Sequence, residues 1–369
     1  MRILALQDYL RVGGTETQFL DLTRRWSRMG NEVCRIVFRR GGPLGGGLKE
    51  DEVPVQHLQS IRSPLNWWAP GLERAISQFR PDHMIAFGRN GNSALAALLR
   101  KRGGGGVVAT VRTGRKLPGR YLRTVRASER VVCNSRFAAG LLEPLGIDGS
   151  RISVVENGCR FAERSLPDRE GSRYALGVEE DELVILSLGS FVPGKRQHRL
   201  LSIWKQLSEQ VRSHARLWFV GNGATRREVQ RDAGRLLDSA RVSFWGNRAD
   251  VDRFLAAADV LVSVSQEESS PNAIVEALCA GVPVGALRCA GVEELIGDET
   301  GGAVFSDSEE GELQLRDWLC GFERSPAIVE RARSFRKLAA ERFDPDKRAE
   351  DYLSLMRGMS SWESGGLSR

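Results

Sequence analysis

Two carboxylates eight residues apart, Glu268 and Glu276, stand on either side of a helix start. The apolar run Val260–Val264 reads as a strand, the segment Ser265–Pro271 as a polar loop, and a helix is expected from about Asn272. Glu268 then lies in the loop and Glu276 on the first turns of the helix, so both can face one ligand at the strand's carboxyl end. The first N–H groups of that helix, at Asn272, Ala273 and Ile274, sit at its positive end without acceptors inside the helix. Carboxylates accept hydrogen bonds from sugar hydroxyls, and amides donate to phosphate oxygens. A sugar joined to a nucleoside through a diphosphate would satisfy both at once. An ordinary helix with an acidic first turn would carry the same residues.

A second loop offers complementary charge. Gly189-Ser190-Phe191-Val192-Pro193-Gly194-Lys195-Arg196 follows the apolar strand Leu183–Leu188 and leads into a helix. There Lys195 can set a point charge, and Arg196 a planar fork, against a pyrophosphate. The loop lacks the G-K-[ST] ending of a Walker motif, which disfavours a kinase or ATPase, and a solvated helix start would look the same. Gly13-Gly14, after the first strand, could bring helix amides up to an anion, although the G-x-G-x-x-G spacing of a dinucleotide site is missing. Six cysteines without CxxC spacing and four scattered histidines predict no structural metal and no resident cofactor.

Two α/β domains must position these loops. The first half alternates apolar β-like runs with longer amphipathic ones: Ile3–Leu6, Glu16–Met29, Glu32–Phe38, Gly71–Phe79, His83–Phe87, Asn92–Arg100, Val107–Val111, Ser128–Cys133, Arg136–Leu145 and Ile152–Val155. That rhythm implies βαβ units on a parallel sheet. It dissolves in the polar stretch Gly158–Gly177, read as a linker. It resumes from Val184, with a helix over Arg226–Leu237, and ends in helical patterns from Glu309 to Met359. The expected domains are residues 1–165, 166–345 and a C-terminal helical segment, 346–369, with ligands in a cleft at the strands' carboxyl ends.

Charge is divided unevenly. Residues 1–165 hold 27 Lys and Arg against 14 Asp and Glu, a balance of +13, so the whole-chain +7 leaves −6 for the remainder. Arg112, Arg115, Lys116, Arg120, Arg123, Arg126, Arg130 and Arg136 face a single acid, Glu129, with Leu117, Tyr121, Leu122 and Val125 interleaved. Such a surface suits an anionic membrane, a phosphorylated acceptor or no partner at all, and no nucleic-acid motif accompanies it. No run approaches the ~20 apolar residues of a membrane span. The opening Met1–Asp8 reads as a strand closed by an acid and not as a leader, so a cytoplasmic chain is expected, peripheral on the inner membrane face.

The constellation resembles the retaining glycosyltransferases of the GT-B fold, family 4. Their Glu-x7-Glu signature appears as Glu268 to Glu276 within a run carrying P-N, E-A-L, G-V-P-V and Ala290–Glu294. Gly13-Gly14, Val131–Ser135, Val155–Gly158, the Gly189–Lys195 loop, Val220–Gly223 and Phe244–Val251 follow in the family's order. The resemblance implies two Rossmann-like domains with parallel sheets facing a central cleft and C-terminal helices crossing back over the first. It assigns Glu276 to the donor's ribose and Glu268 to the transferred sugar. Asn272, Ala273, Ile274 and Lys195, with Arg196, would take the diphosphate, Gly246 and Asn247 would border the base, and Gly14 would close over the phosphates. Arg112 stands where the family often has a histidine, and Ser190 where it has a phosphate-binding arginine. Implied catalytic residues are therefore Lys195, Glu268 and Arg112.

The implied reaction moves a sugar, with retention and without metal, from a UDP- or GDP-sugar to a glycan or lipid-linked hydroxyl acceptor, in cell-surface polysaccharide or lipopolysaccharide synthesis. Lys195 and the helix amides would stabilise charge on the departing diphosphate. Rival readings are a nucleotide-sugar epimerase or phosphorylase on the same scaffold, and a binding protein without turnover.

Overall fold

The computed structural model describes residues 1–48, 53–59, 65, 67–163, 165–236, 239–322 and 326–362. The chain divides into two compact units, Met1–Gly158 with Pro345–Arg369, and Cys159–Asp344. Each is a parallel sheet between helical layers.

In the first unit the strands are β1 (Arg2–Gln7), β2 (Glu32–Val37), β3 (Val55–Gln56), β4 (His83–Ala86), β5 (Val107–Val111), β6 (Arg130–Cys133) and β7 (Ile152–Val154). They lie side by side in the order β3-β2-β1-β4-β5-β6-β7, every pair parallel. The central run Ile3-Leu4-Ala5-Leu6 is wholly buried because both faces are covered, as a parallel sheet with crossover helices requires. Side chains alternate between faces: Ile3 and Ala5 pack into one core, Leu4 and Leu6 into another. The final helix, Pro345–Arg357, completes the first of these cores with Ala349, Tyr352, Leu353 and Met356. The Trp26 indole Nε1 donates to the Ala349 carbonyl at 3.1 Å, and its ring meets Tyr352 edge-on at 5.7 Å.

The second unit holds β8 (Leu183–Leu188), β9 (Ala215–Val220), β10 (Val242–Gly246), β11 (Val260–Ser263), β12 (Val284–Leu287) and β13 (Ala303–Phe305), in the order β10-β9-β8-β11-β12-β13 and again parallel. Strand order reverses between β8 and β11, as it does between β1 and β4 in the first unit. At such a switch point neighbouring loops leave in opposite directions and open a crevice beyond the strands' carboxyl ends. The Gly189–Arg196 and Ser265–Pro271 loops both issue from that crevice.

Several elements differ from the sequence reading. Helix Gly88–Arg102 begins four residues ahead of the expected Asn92, since Gly88 takes a left-handed φ of 66° that lets the chain turn straight from β4 into the helix. A helix at Gly119–Ala127 runs through the basic stretch, with Leu117, Tyr121 and Val125 buried in the core and Arg123 and Arg126 on the surface. The interleaved apolar residues are thus core, not an exposed face. The polar stretch read as a linker contains helix Arg169–Ala175, anchored through Arg169 and Arg173 on Asp259. Leu237 and residues 363–369, included in the sequence-based segments, lie outside the described residues.

Candidate functional site

The crevice of the second unit is built by its loops. Gly189 N–H donates to the Val220 carbonyl at 2.9 Å and Phe191 N–H to the Asn222 carbonyl at 3.0 Å, which ties the loop after β8 to the one after β9. That contact needs Gly221 and Gly223. A Cβ on Gly221 would lie 1.9 Å from the Gly189 carbonyl oxygen, and one on Gly223 would lie 2.2 Å from that of Phe191. The Phe191 ring is sunk among Phe219 and Phe244 at 5.9 and 6.1 Å. The same loop is joined to the one after β11 by Gln266 N–H donating to the Gly194 carbonyl at 2.8 Å. So fixed, the Lys195 ammonium forms an ion pair with Glu268, both side chains largely shielded from water.

Helix Asn272–Ala280 starts after Pro271, has no side-chain cap, and stops at Gly281 in the left-handed region. Of its first amides, Ile274 N–H is engaged by the Pro271 carbonyl at 3.0 Å, whereas Ala273 N–H has no acceptor among the described residues. Lys195, Ala273 and Ile274 line one cavity of about 20 Å³ with the ends of β8 and β11, room for a single water. Glu276, half-buried on the next turn of the helix, has its carboxyl pushed up to about 7 by loss of solvent, against the opposing pull of Arg160. Glu268 is thus held by a lysine, while Glu276 is close to half-protonated at neutral pH.

The remaining expected residues take distinct places. Arg196 turns away from the loop with a φ of 47°. Its guanidinium makes two 3.0 Å bonds to Asp307 and a third, at 3.2 Å, to the Val264 carbonyl, so it braces the loop from behind. Gly246, with φ 69°, ends β10, and Asn247 is exposed just beyond it. Arg226, which the sequence reading did not single out, donates to the Phe244 carbonyl at 3.2 Å and lies beside Gly246. Nothing in its sequence neighbourhood marks it, and the same holds for Arg160. Among the described residues no three His, Cys, Asp or Glu side chains gather as a metal would need.

In the first unit Gly14 opens helix Gly14–Arg28, and the preceding loop is pinned by buried Asp8, which accepts from Arg11, Arg39 and Asn90. Arg112 lies just past the end of β5, donating to the Tyr352 hydroxyl at 3.3 Å and to the Asn157 side-chain oxygen. On the basic helix Arg120 stacks 3.6 Å over Trp67, and Trp68 beside it is exposed. No helix among the described residues is long and apolar enough to cross a membrane.

Comparison with known proteins agrees with this architecture. The family described as Glycosyltransferase Family 4 matches residues 12–162, and Glycosyl transferases group 1 matches residues 168–334. The lipopolysaccharide core biosynthesis glycosyltransferase LpsE of Rhizobium meliloti (strain 1021) is 27% identical over 359 residues, 93% of this chain and 96% of the relative. The lipopolysaccharide glucosyltransferase WaaG of Escherichia coli (strain K12) is 28% identical over 148 residues, 40% of this chain and 39% of its own. Anabaena Alr3699/HepE, solved in complex with UDP and glucose, superposes with a TM-score of 0.82 at 22% identity, covering 97% of this chain and 99% of that one. The chain thus carries two glycosyltransferase regions, family 4 in the first unit and group 1 in the second, and shares the fold of the GT-B structures.

Proposed function

We propose that this glycosyltransferase moves a sugar from a nucleotide-diphosphate sugar to a hydroxyl acceptor during synthesis of lipopolysaccharide or a related surface polysaccharide, with retention and without a metal. The observation that carries the reading is the Lys195–Glu268 pair at the switch point of the second sheet, where Lys195 and Ala273 line one cavity and Glu276 follows one turn along the same helix. Lys195 and the helix amide face the position of a leaving diphosphate, where they stabilise the charge that develops as the sugar departs. Glu268 keeps Lys195 oriented and offers its second oxygen to sugar hydroxyls. Glu276, when ionised, accepts from the ribose hydroxyls. Support for a uridine donor comes from HepE, solved with UDP and glucose, and support for the pathway from LpsE and WaaG. The basic face carrying Arg123, Arg126 and exposed Trp68 supports an acceptor held at an anionic membrane surface.

The test is a turnover screen of the purified chain with UDP-, GDP-, ADP- and TDP-sugars in EDTA, with membrane extract as acceptor. One nucleotide sugar should be consumed, its diphosphate released and the product anomer match the donor. Binding without release in every condition would reject transferase activity. Flotation with vesicles tests the membrane contact: recovery should rise with anionic lipid content, and indifference to lipid charge would remove it.

A further inference from the structure

Arg112 is a cation held in place without an anion. Its guanidinium is half-buried past the end of β5, and its partners are all neutral: the Tyr352 hydroxyl, the Asn157 side-chain oxygen and the face of Phe87, whose centroid is 6.0 Å away. Among the described residues no carboxylate pairs with it. Several other shielded arginines of this chain are paired with carboxylates. Arg25 holds Asp21 and Asp346, Arg173 holds Asp259, and Arg199 holds Asp307 and Glu312. A guanidinium withdrawn from water without a counter-charge is costly, and hydrogen bonds to neutral acceptors offset only part of that cost. Arg89, on the first turn of the helix that follows the adjacent strand β4, is likewise without a carboxylate among the described residues, and its side chain is exposed. The fields of both arginines reach the buried Tyr121 hydroxyl, which donates to the Thr110 carbonyl on β5. By contrast, Arg11 and Arg39, past the ends of β1 and β2, are compensated by Asp8.

We propose that Arg112, with Arg89, forms a phosphate-binding subsite at the carboxyl ends of β4 and β5, and that the acceptor of this enzyme carries a phosphate group there. A planar fork held at one edge by Tyr352 and Asn157 can give its remaining N–H groups to two oxygens of one phosphate, and Arg89 can close from the solvent side. The proposal rests on the glycosyltransferase reading for its word acceptor; the subsite itself does not.

Titration of the full chain with inorganic phosphate tests it, comparing wild type with Arg112→Gln, Arg112→Lys and Arg89→Gln, and with Lys195→Ala to account for phosphate taken up in the second unit. Arg112→Gln should weaken one binding event by about tenfold, and Arg112→Lys by less, because lysine keeps the charge but loses the fork. Lys195→Ala should leave that event intact. The melting temperature of Arg112→Gln in phosphate-free buffer should equal or exceed that of wild type, since a ligand-binding cation, unlike a structural one, costs stability when empty. Phosphate affinity unchanged by Arg112→Gln, or a variant that melts lower with unchanged affinity, would overturn the subsite. Glucose 6-phosphate competing for the event assigns its source to a phosphorylated glycan; dependence on Arg112 seen only with phosphatidylglycerol vesicles assigns it to a lipid headgroup. UDP binding, measured in parallel, reports on the glycosyltransferase reading separately: its absence from wild type would refute that reading and leave the phosphate result standing.

Discussion

Among the residues of the proposed donor site, Glu276 makes the sharpest prediction. Its carboxyl ionises near pH 7 in the folded chain, above its ordinary value of 4.5. The folded state therefore holds the proton more tightly than the unfolded one. The stability this contributes is fully present at pH 4 and is lost as pH rises through 7. Glu276→Gln should be as stable as wild type at pH 4.5 and more stable at pH 8 by about 2 kcal/mol, read by denaturant titration at the two pH values. Nucleotide binding should run the other way. Wild-type affinity for UDP should rise between pH 6 and 8 as the carboxylate forms, and the Gln variant should bind weakly with a flat profile. Glu268 and Glu276 were legible because loop, helix start and both acids are continuous in the chain. Arg196 was not, since what decides its direction is Asp307, 111 residues away. Arg112 is oriented by Tyr352, 240 residues away, and no local pattern could show its lack of a carboxylate.

At the level of elements, the loops hold the site more than the strands do. Gly221→Ala and Gly223→Ala each push a methyl into a carbonyl of the neighbouring loop, backbone against backbone, where neither side can yield. Each should cost about 3 kcal/mol or more in thermal or denaturant unfolding and weaken UDP binding through the displaced Lys195 loop. Gly291→Ala should act on the other wall: its Cβ would fall 2.6 Å from the Glu268 carbonyl, so binding should fall further than stability. The strands themselves were readable, because burial on both faces demands unbroken apolar runs such as Leu183–Leu188. Helix Gly119–Ala127 was hidden by its composition, its three arginines equalling in number the three residues that reach the core. Helix Gly88–Arg102 was hidden at its start by glycines that in isolation signal a loop.

At the scale of the whole molecule, the chain returns to its first unit at Pro345, and Tyr352, Leu353 and Met356 are core residues there. Burial of each is worth about 1.5–3 kcal/mol, so removing residues 345–369 forfeits much of a typical ~5–15 kcal/mol of stability. The truncated chain should lose the cooperative unfolding of the first unit and become protease-sensitive between residues 1 and 158, while the fragment 159–344 remains resistant. The repeated strand–helix rhythm made two sheets legible, but the return of the last helix to the first core was implied only by resemblance, since nothing local in Pro345–Arg357 names its partner.

The central claim is that Lys195, Glu268 and Glu276 together form a nucleotide-sugar site, and calorimetric titration of the full chain with UDP-glucose in EDTA at pH 8 tests it most directly. Wild type should bind one equivalent. Lys195→Ala should lose about tenfold or more in affinity through its missing charge-assisted bond, and Glu276→Ala a similar factor, with both variants folded. Equal binding by wild type and both folded variants would place the nucleotide sugar elsewhere and contradict the account.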